Sequence, residues 1–308
     1  MSLSCFAAGA DELPSIEQGA LARGFALPDI GESRVLSRAE WHQYFQLGSV
    51  NEYEAQTQAG EAIVVDGEVT RLLYGVRRGF GSGWDVGLRI PVLIQGGGYL
   101  DGLIQSWHRA FNLPNAGRQF APSNRYLYQY SRNGQLLLDA HRSSSGVGDL
   151  QINVGRTLLG DDLAVRGLLK LPTGDSGTLA GNGAFGGALW LDGRVPNTGR
   201  WLFGGGAGLS YTGTGDILPN QQKHLLPFGA LEIGYAITVR LSVQSQLYLH
   251  AAPYRGSGFS PLAQVAVPVT VSGRYRFSNS ATFIAGFQEK GNYGASPDFG
   301  IFLGCDFR

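Results

Sequence analysis

No run of ~18 apolar residues occurs anywhere in the chain, which excludes an ordinary transmembrane helix but says nothing about a barrel. Charged residues make up only 16% of the 308, and methionine occurs once, unlike a helical cytosolic enzyme or a disordered tail. Neither sign of charge is in excess: 24 Lys and Arg balance 24 Asp and Glu, so no general attraction to nucleic acid is implied. The two cysteines, Cys5 and Cys305, make no disulfide framework. Metal-ligand spacings, a phosphate loop and a dinucleotide fingerprint are all missing, so no metal or cofactor is expected. The glycines at 204, 205, 206 and 208 sit inside a strand pattern, where they let large neighbours pack.

What is abundant is glycine, 47 residues, and strict alternation. From Val239 to Leu249 the odd positions except Ser245 are apolar, against Arg240, Ser242, Gln244, Gln246 and Tyr248. A period of two places successive side chains on opposite faces of a strand, and a tilted strand crosses a bilayer in ~9–11 residues. The same pattern gives strands at about 39–54, 62–77, 82–95, 147–158, 163–173, 183–194, 200–213, 225–236, 238–250, 262–277, 280–289 and 297–308. Soluble sheets alternate too, but here the connections run alternately long and short, as in a membrane barrel with short turns at one rim and loops at the other. The fold class is therefore all-β: a transmembrane antiparallel up-and-down barrel of about twelve strands.

A hairpin at 124–130 and 135–141, around Asn133-Gly134, would raise the count to fourteen if it joined the wall. Its arms are below the spanning length, so it is placed outside the membrane. Residues 99–112 carry Leu100, Leu103, Ile104, Trp107 and Phe111 at helical spacing, a short extramembrane helix and candidate lid that also includes His108. Residues 1–38 divide from the barrel at 39–308. Met1 to Ala10 read as the end of an export signal, with Ala8-Gly9-Ala10 as a cleavage-like spacing, and the remainder as a lead-in or a lumen plug.

Assigning the polar face to the lumen turns Arg71, Arg77, Arg89, Arg166, Lys170, Arg240, Arg274, Arg276 and Lys290 inward, against Asp85, Asp149, Glu232 and Asp306, with Gln244 beside them. Nine cations face four anions, which favours an anionic or carboxylate-headed amphipathic solute. The alternative is that these groups are paired and serve only the fold. An enzyme is the second class considered, since a Ser and His pair near the outer rim can cleave lipids. His224 and His250 fall near outer loops, with Ser210 or Ser257 as conceivable partners, but no lipase-like spacing joins them, and no catalytic residue is assigned. A structural or adhesive barrel is the third class.

Several segments resemble a family of bacterial proteins known only as a domain of unknown function and predicted to be outer-membrane barrels. They are Val65-Asp66-Gly67-Glu68, Gly83-Trp84-Asp85, Tyr99 to Ile104 followed by Trp107-His108-Arg109, Phe111 to Pro114 with Arg118, Gly146-Val147-Gly148-Asp149, and Leu171-Pro172-Thr173-Gly174-Asp175. The last is also similar to an element of barrels in the hydrophobic-compound uptake superfamily. Where the family continues with a Ser and an Asp, this chain has Gly181-Asn182-Gly183-Ala184-Phe185. Phe307 resembles the terminal aromatic of outer-membrane barrels, although Arg308 follows it. The resemblance implies a bacterial outer-membrane location, lipid neighbours and no transferable functional residue. The function expected is a channel or transporter for a small amphipathic or anionic solute.

Overall fold

The structure, a computed structural model, describes residues 19–112, 118–196, 199–292 and 295–308. The expected export signal lies outside the described residues, as do the side chains of Trp107, His108 and Phe111. In chain order the elements are β1 Trp41–Gln58, β2 Glu61–Gly81, β3 Trp84–Gly96, α1 Asp101–Phe111, β4 Leu127–Arg132, β5 Gln135–Ala140, β6 Ser144–Val147, β7 Leu150–Leu159 and β8 Leu163–Leu171. They continue with β9 Gly186–Arg194, β10 Trp201–Thr212, β11 Leu225–Ala236, β12 Leu241–His250, α2 Ser260–Ala263, β13 Pro268–Arg276, β14 Ala281–Lys290 and β15 Phe299–Phe307.

Twelve strands, β1 to β3 and β7 to β15, pair antiparallel in chain order, and β15 returns to β1 with Phe307 opposite Gln43, so the wall closes. The alternation decides which face is which. Phe45, Leu47, Leu72, Leu191, Leu231 and Leu303 stand exposed on the outside, while Gln46, Asp85, Arg89, Arg166, Asp192 and Gln288 are buried on the inside. An apolar outer band around a polar interior is what a lipid-embedded barrel requires, because closure leaves no strand edge unpaired in hydrocarbon.

Connections such as 160–162 and 277–280 are tight at one rim, whereas 172–185, 213–224, 251–267 and 291–298 are long at the other. The β1–β2 connection departs from this order: only Ala59 and Gly60 separate two strands that overshoot the wall. Above Glu68, β2 leaves β3 and pairs Glu61–Asp66 with β4 instead. The hairpin β4–β5 thus extends the β1–β2 ribbon beyond the wall, as its short arms require. The strand expected at 262–277 begins only at Pro268, because Ser260–Ala263 makes a single helical turn with Pro261 at its start.

Two regions outside the wall position the site. At the long-loop rim, Tyr126, Tyr128 and Tyr130 of the hairpin pack with Ile63, Val65, Ile217, Leu218, Tyr254 and Phe259 into an apolar cap over the mouth. Burial among these residues pushes the Tyr126 phenol up to about 12, so it stays neutral at any working pH. The excursion that carries α1 lies elsewhere, against the outward side of the wall. Leu100 and Ile104 pack on Phe299, with Phe287 and Ile301 beside them, all on the outward face of β14 and β15.

That seat covers outward polar groups of β1 and β2. Glu68 Oε2 accepts from the backbone N–H of Tyr99 (3.0 Å) and Leu100 (2.8 Å), holding the approach to the helix. Arg118 donates to Asp101, Asn51 and Asp298 (2.6 Å for the last), and Arg125 donates to Asp66 at 2.6 Å. Without the excursion, Asn51, Asp66 and Glu68 would face lipid headgroups or hydrocarbon, so the cover satisfies groups that are costly to leave unpaired.

Candidate functional site: the occupied barrel interior

A wall of eight strands can be filled by its own side chains, and sixteen or more enclose water. Twelve fall between, and here the remaining space is taken by the chain itself. Residues 19 to 37 pass along the interior from the long-loop rim to the short-turn rim. Near the top, the Ala20 N–H donates to Glu52 (3.0 Å), the Tyr254 hydroxyl donates to the Leu21 carbonyl (3.2 Å), and Arg23 reaches Gln95 (2.6 Å). At mid-height Tyr248 donates to Pro28 O at 3.1 Å and Gln246 to Ile30 O at 2.8 Å. Both backbone N–H groups of Gly31 and Glu32 donate to Asp192 Oδ2, each at 2.9 Å.

The close fit is written in two glycines. Gly31 has φ +131°, and a Cβ there would lie 2.5 Å from Glu232 Oε1; a Cβ on inward-facing Gly206 would lie 2.9 Å from the Ile30 side chain. A Cβ on Gly206 would meet the Leu191 carbonyl of the neighbouring strand more closely still, so this glycine clears room for the wall and the segment together.

From Asp29 onward the contacts become ionic. Asp29 pairs with Arg89 at 2.8 Å, and Glu32 pairs with Arg77 at 2.8 Å and Arg166 at 3.3 Å. Asp85 accepts from Arg77 and from the Leu36 N–H at 3.0 Å. Arg166 also donates to the carbonyls of Glu32 and Arg34. Arg166 is 1% exposed and Asp192 0%, so these charges are tolerable only as a mutually satisfied network.

The sequence-predicted interior residues fall into three groups. Arg77, Arg89 and Arg166 meet in the network just described. Lys170 and Asp149 form a separate buried pair near the long-loop rim, where Lys170 also donates to Asn182 (2.9 Å) and Ala184 O (2.8 Å). Arg274 pairs with Asp306 at 2.9 Å toward the short-turn rim, Glu232 accepts from Gln246 at 2.7 Å, and Gln244 is buried beside them. Arg71 donates to Gln46 at 2.9 Å, and its Nε has no hydrogen-bond partner among the described residues.

Two predicted residues fall elsewhere. Arg240 is exposed in the turn before β12, where Thr238 accepts from the N–H groups of Arg240 and Leu241, so the strand starts later than its alternation suggested. Arg276 ends β13 and is half-exposed at the short-turn rim. The excess of inward cations also disappears. Glu52 and Asp192, inward on strands the alternation already gives, and Asp29 and Glu32 on the segment add four anions.

Beside the segment a cavity of about 70 Å³ remains, walled by Arg23, Leu27, Asp29, Arg71, Leu73, Leu93 and Tyr248 among others. A smaller one of about 20 Å³ lies below it, with Tyr44, Gln46 and Arg89. Asp29 and Leu73 belong to both walls. No cluster of metal-ligating side chains occurs among the described residues. Ser257 donates to Glu61 at 2.9 Å, while the Nδ1 atoms of His224 and His250 lie 2.8 Å from backbone carbonyls of Thr212 and Ala251.

A closed wall with an apolar outer band, its polar lumen filled by the chain's own leading segment, defines the class: an internally occupied transmembrane β-barrel. Residues 9–308 match the model of the family described as protein of unknown function (DUF3187), and the chain belongs to that family. No curated protein sequence matches it. Among solved structures it is similar to an outer membrane channel from Pseudomonas putida F1, with TM-score 0.59 and 13% identity over 91% of this chain and 99% of that one. It is also similar to the NanC porin (TM-score 0.46, 12% identity, 86% and 99% covered) and to a Pseudomonas aeruginosa FadL homologue (TM-score 0.43, 10% identity, 92% and 99% covered).

Proposed function

We propose that the protein is a channel of the bacterial outer membrane that admits a small amphipathic or anionic solute past the internal segment. One observation carries this reading: the lumen is closed by a length of chain held through hydrogen bonds and ion pairs rather than by side chains of the wall, and a cavity adjoins it. Such a closure can shift without opening the barrel. The cavity sets Arg23 and Arg71, with Asp29 and Asp149, against apolar walls, a mixed lining that suits an amphipathic solute. The long-loop rim would face outward, as in barrels of this kind, with lipids as the surrounding partner. The likeness in fold to the P. putida outer membrane channel agrees with this reading.

The helix α1, with Ile104, Trp107, His108 and Phe111, and Leu100 just before it, is the candidate lid. Its seat on the outward side of β14 and β15 favours a lateral role over a cap on the mouth. Planar-bilayer conductance and liposome swelling test the channel. Currents or swelling that grow when residues 19–37 are loosened are expected; a barrel sealed to every solute with the segment loosened would remove the reading.

A further inference from the structure

The inward arginines of β2 and β3 form a ladder. Arg71 stands highest, opposite Leu93; Arg89 stands lower, opposite Gly75; Arg77 stands lower still, opposite Gly87. The internal segment answers the two lower rungs with carboxylates, Asp29 on Arg89 and Glu32 on Arg77. The top rung is different. Arg71 lines the larger cavity, its Nε without a hydrogen-bond partner among the described residues, and Leu27, Leu73 and Leu93 line the same space. Arg71 is half-buried, but its Nε is shut off from solvent with its hydrogen bond unmade, which is costly, and a ligand with an anionic head and a short apolar body would complete it.

Asp29 occupies the position that such a ligand would need next. It is shared by the walls of both cavities and sits between Arg71 above and its partner Arg89 below. We infer that the ladder is a binding site and path for small aliphatic carboxylates, in which Asp29 is an internal occupant that the entering carboxylate displaces. The carboxylate binds Arg71 with its tail against Leu73 and Leu93, then takes Arg89 from Asp29. The segment then loses one of its wall contacts and the two cavities join. A cavity of about 70 Å³ exceeds the ~10–15 Å³ that holds one water several times over, which suits an acid of a few carbons such as butyrate. No covalent step is involved.

This inference rests on the channel reading, and the experiment separates the two. In planar bilayers under a sodium butyrate gradient, the wild-type chain should prefer butyrate over sodium. D29N should raise butyrate conductance on the order of tenfold by leaving the ladder less occupied, D29E should return it toward wild type, and R71Q should remove the preference. On the unaltered chain, butyrate should speed tryptic cleavage at Arg23 or Arg34, while butanol, of similar size but uncharged, should not. Ion passage without butyrate preference in any variant, together with cleavage indifferent to butyrate, overturns the carboxylate inference and leaves the channel standing. No current through any variant overturns both.

Discussion

The internal segment is held at its two ends by opposite chemistry. Its upper part, Gly19 to Phe25, carries hydrogen bonds but no carboxylate to pair with an arginine of the wall, and its distinctive anchor is apolar burial: Leu21 and Phe25 enter the cap cluster, and the Phe25 ring meets Tyr254 edge-on at 5.6 Å. Its lower part, Asp29 to Leu36, is anchored by ion pairs and carbonyl contacts to Arg77, Arg89, Arg166 and Asp85. Apolar burial is insensitive to a competing anion, whereas an arginine already bonded to one carboxylate can exchange it for another. The difference assigns retention to the upper end and responsiveness to the lower.

Variants at the two ends should therefore behave differently. The largest effect belongs to Arg166→Ala, which leaves Asp85 and Glu32 to share Arg77 in a buried site and frees the Glu32 and Arg34 carbonyls, and should cost about 4 kcal/mol in denaturant unfolding, with the lower segment becoming open to protease. Phe25→Ala should cost about 3 kcal/mol and expose the upper end while leaving cleavage at Arg34 slow; equal exposure at both ends would mean that the two ends are not held independently. Asp192→Asn keeps the shape but weakens two charge-assisted bonds to the Gly31 and Glu32 N–H groups, for about 1 kcal/mol.

The smallest effect is at the exposed hairpin. Hydrogen bonds from Gln129 and His141 hold the Asp139 carboxyl below its ordinary range. A depressed carboxylate contributes stability above its unfolded pKa and loses it as pH falls through the folded value. Unfolding of Asp139→Asn should therefore match wild type in acid and fall below it only slightly at neutral pH, because the group is open to solvent.

Legibility followed the same physical line. Every wall strand was readable, because period two is imposed wherever one face meets lipid and the other a polar interior. Strand starts were not: Pro261 and the Thr238 turn shifted β13 and β12 by several residues. The polar wall residues Arg77, Arg89 and Arg166 were found from the pattern, but their partners Asp29 and Glu32 were not, since Asp11 to Ser37 has no periodicity and its burial depends on long-range contacts. Glu52 and Asp192 were the avoidable omissions, each inward in a strand that the alternation gives.

The motifs that carried the family resemblance turn out to be anchors. Asp66 and Glu68 hold the excursion, Asp85 holds the segment, and Asp149 and Thr173 join their two motifs through bonds to the Gly174 N–H (2.9 Å) and the Gly148 carbonyl (2.8 Å). What a lone sequence shows as scattered short motifs is one set of contacts fixing non-strand chain to the wall.

Locking the segment gives the most direct test. A Cβ on Gly186 would lie 2.9 Å from Ala26 Cβ, nearer than the ~3.5–4.5 Å of bridged cysteines, so an outward shift of the segment by about 1 Å lets Ala26→Cys with Gly186→Cys, in a background lacking Cys5 and Cys305, form a disulfide on oxidation. The measurement is butyrate conductance before and after reduction of that bridge. The oxidised protein should be closed and reductant should restore passage; a bridge that forms fully and leaves conductance unchanged would mean that the segment does not gate the barrel.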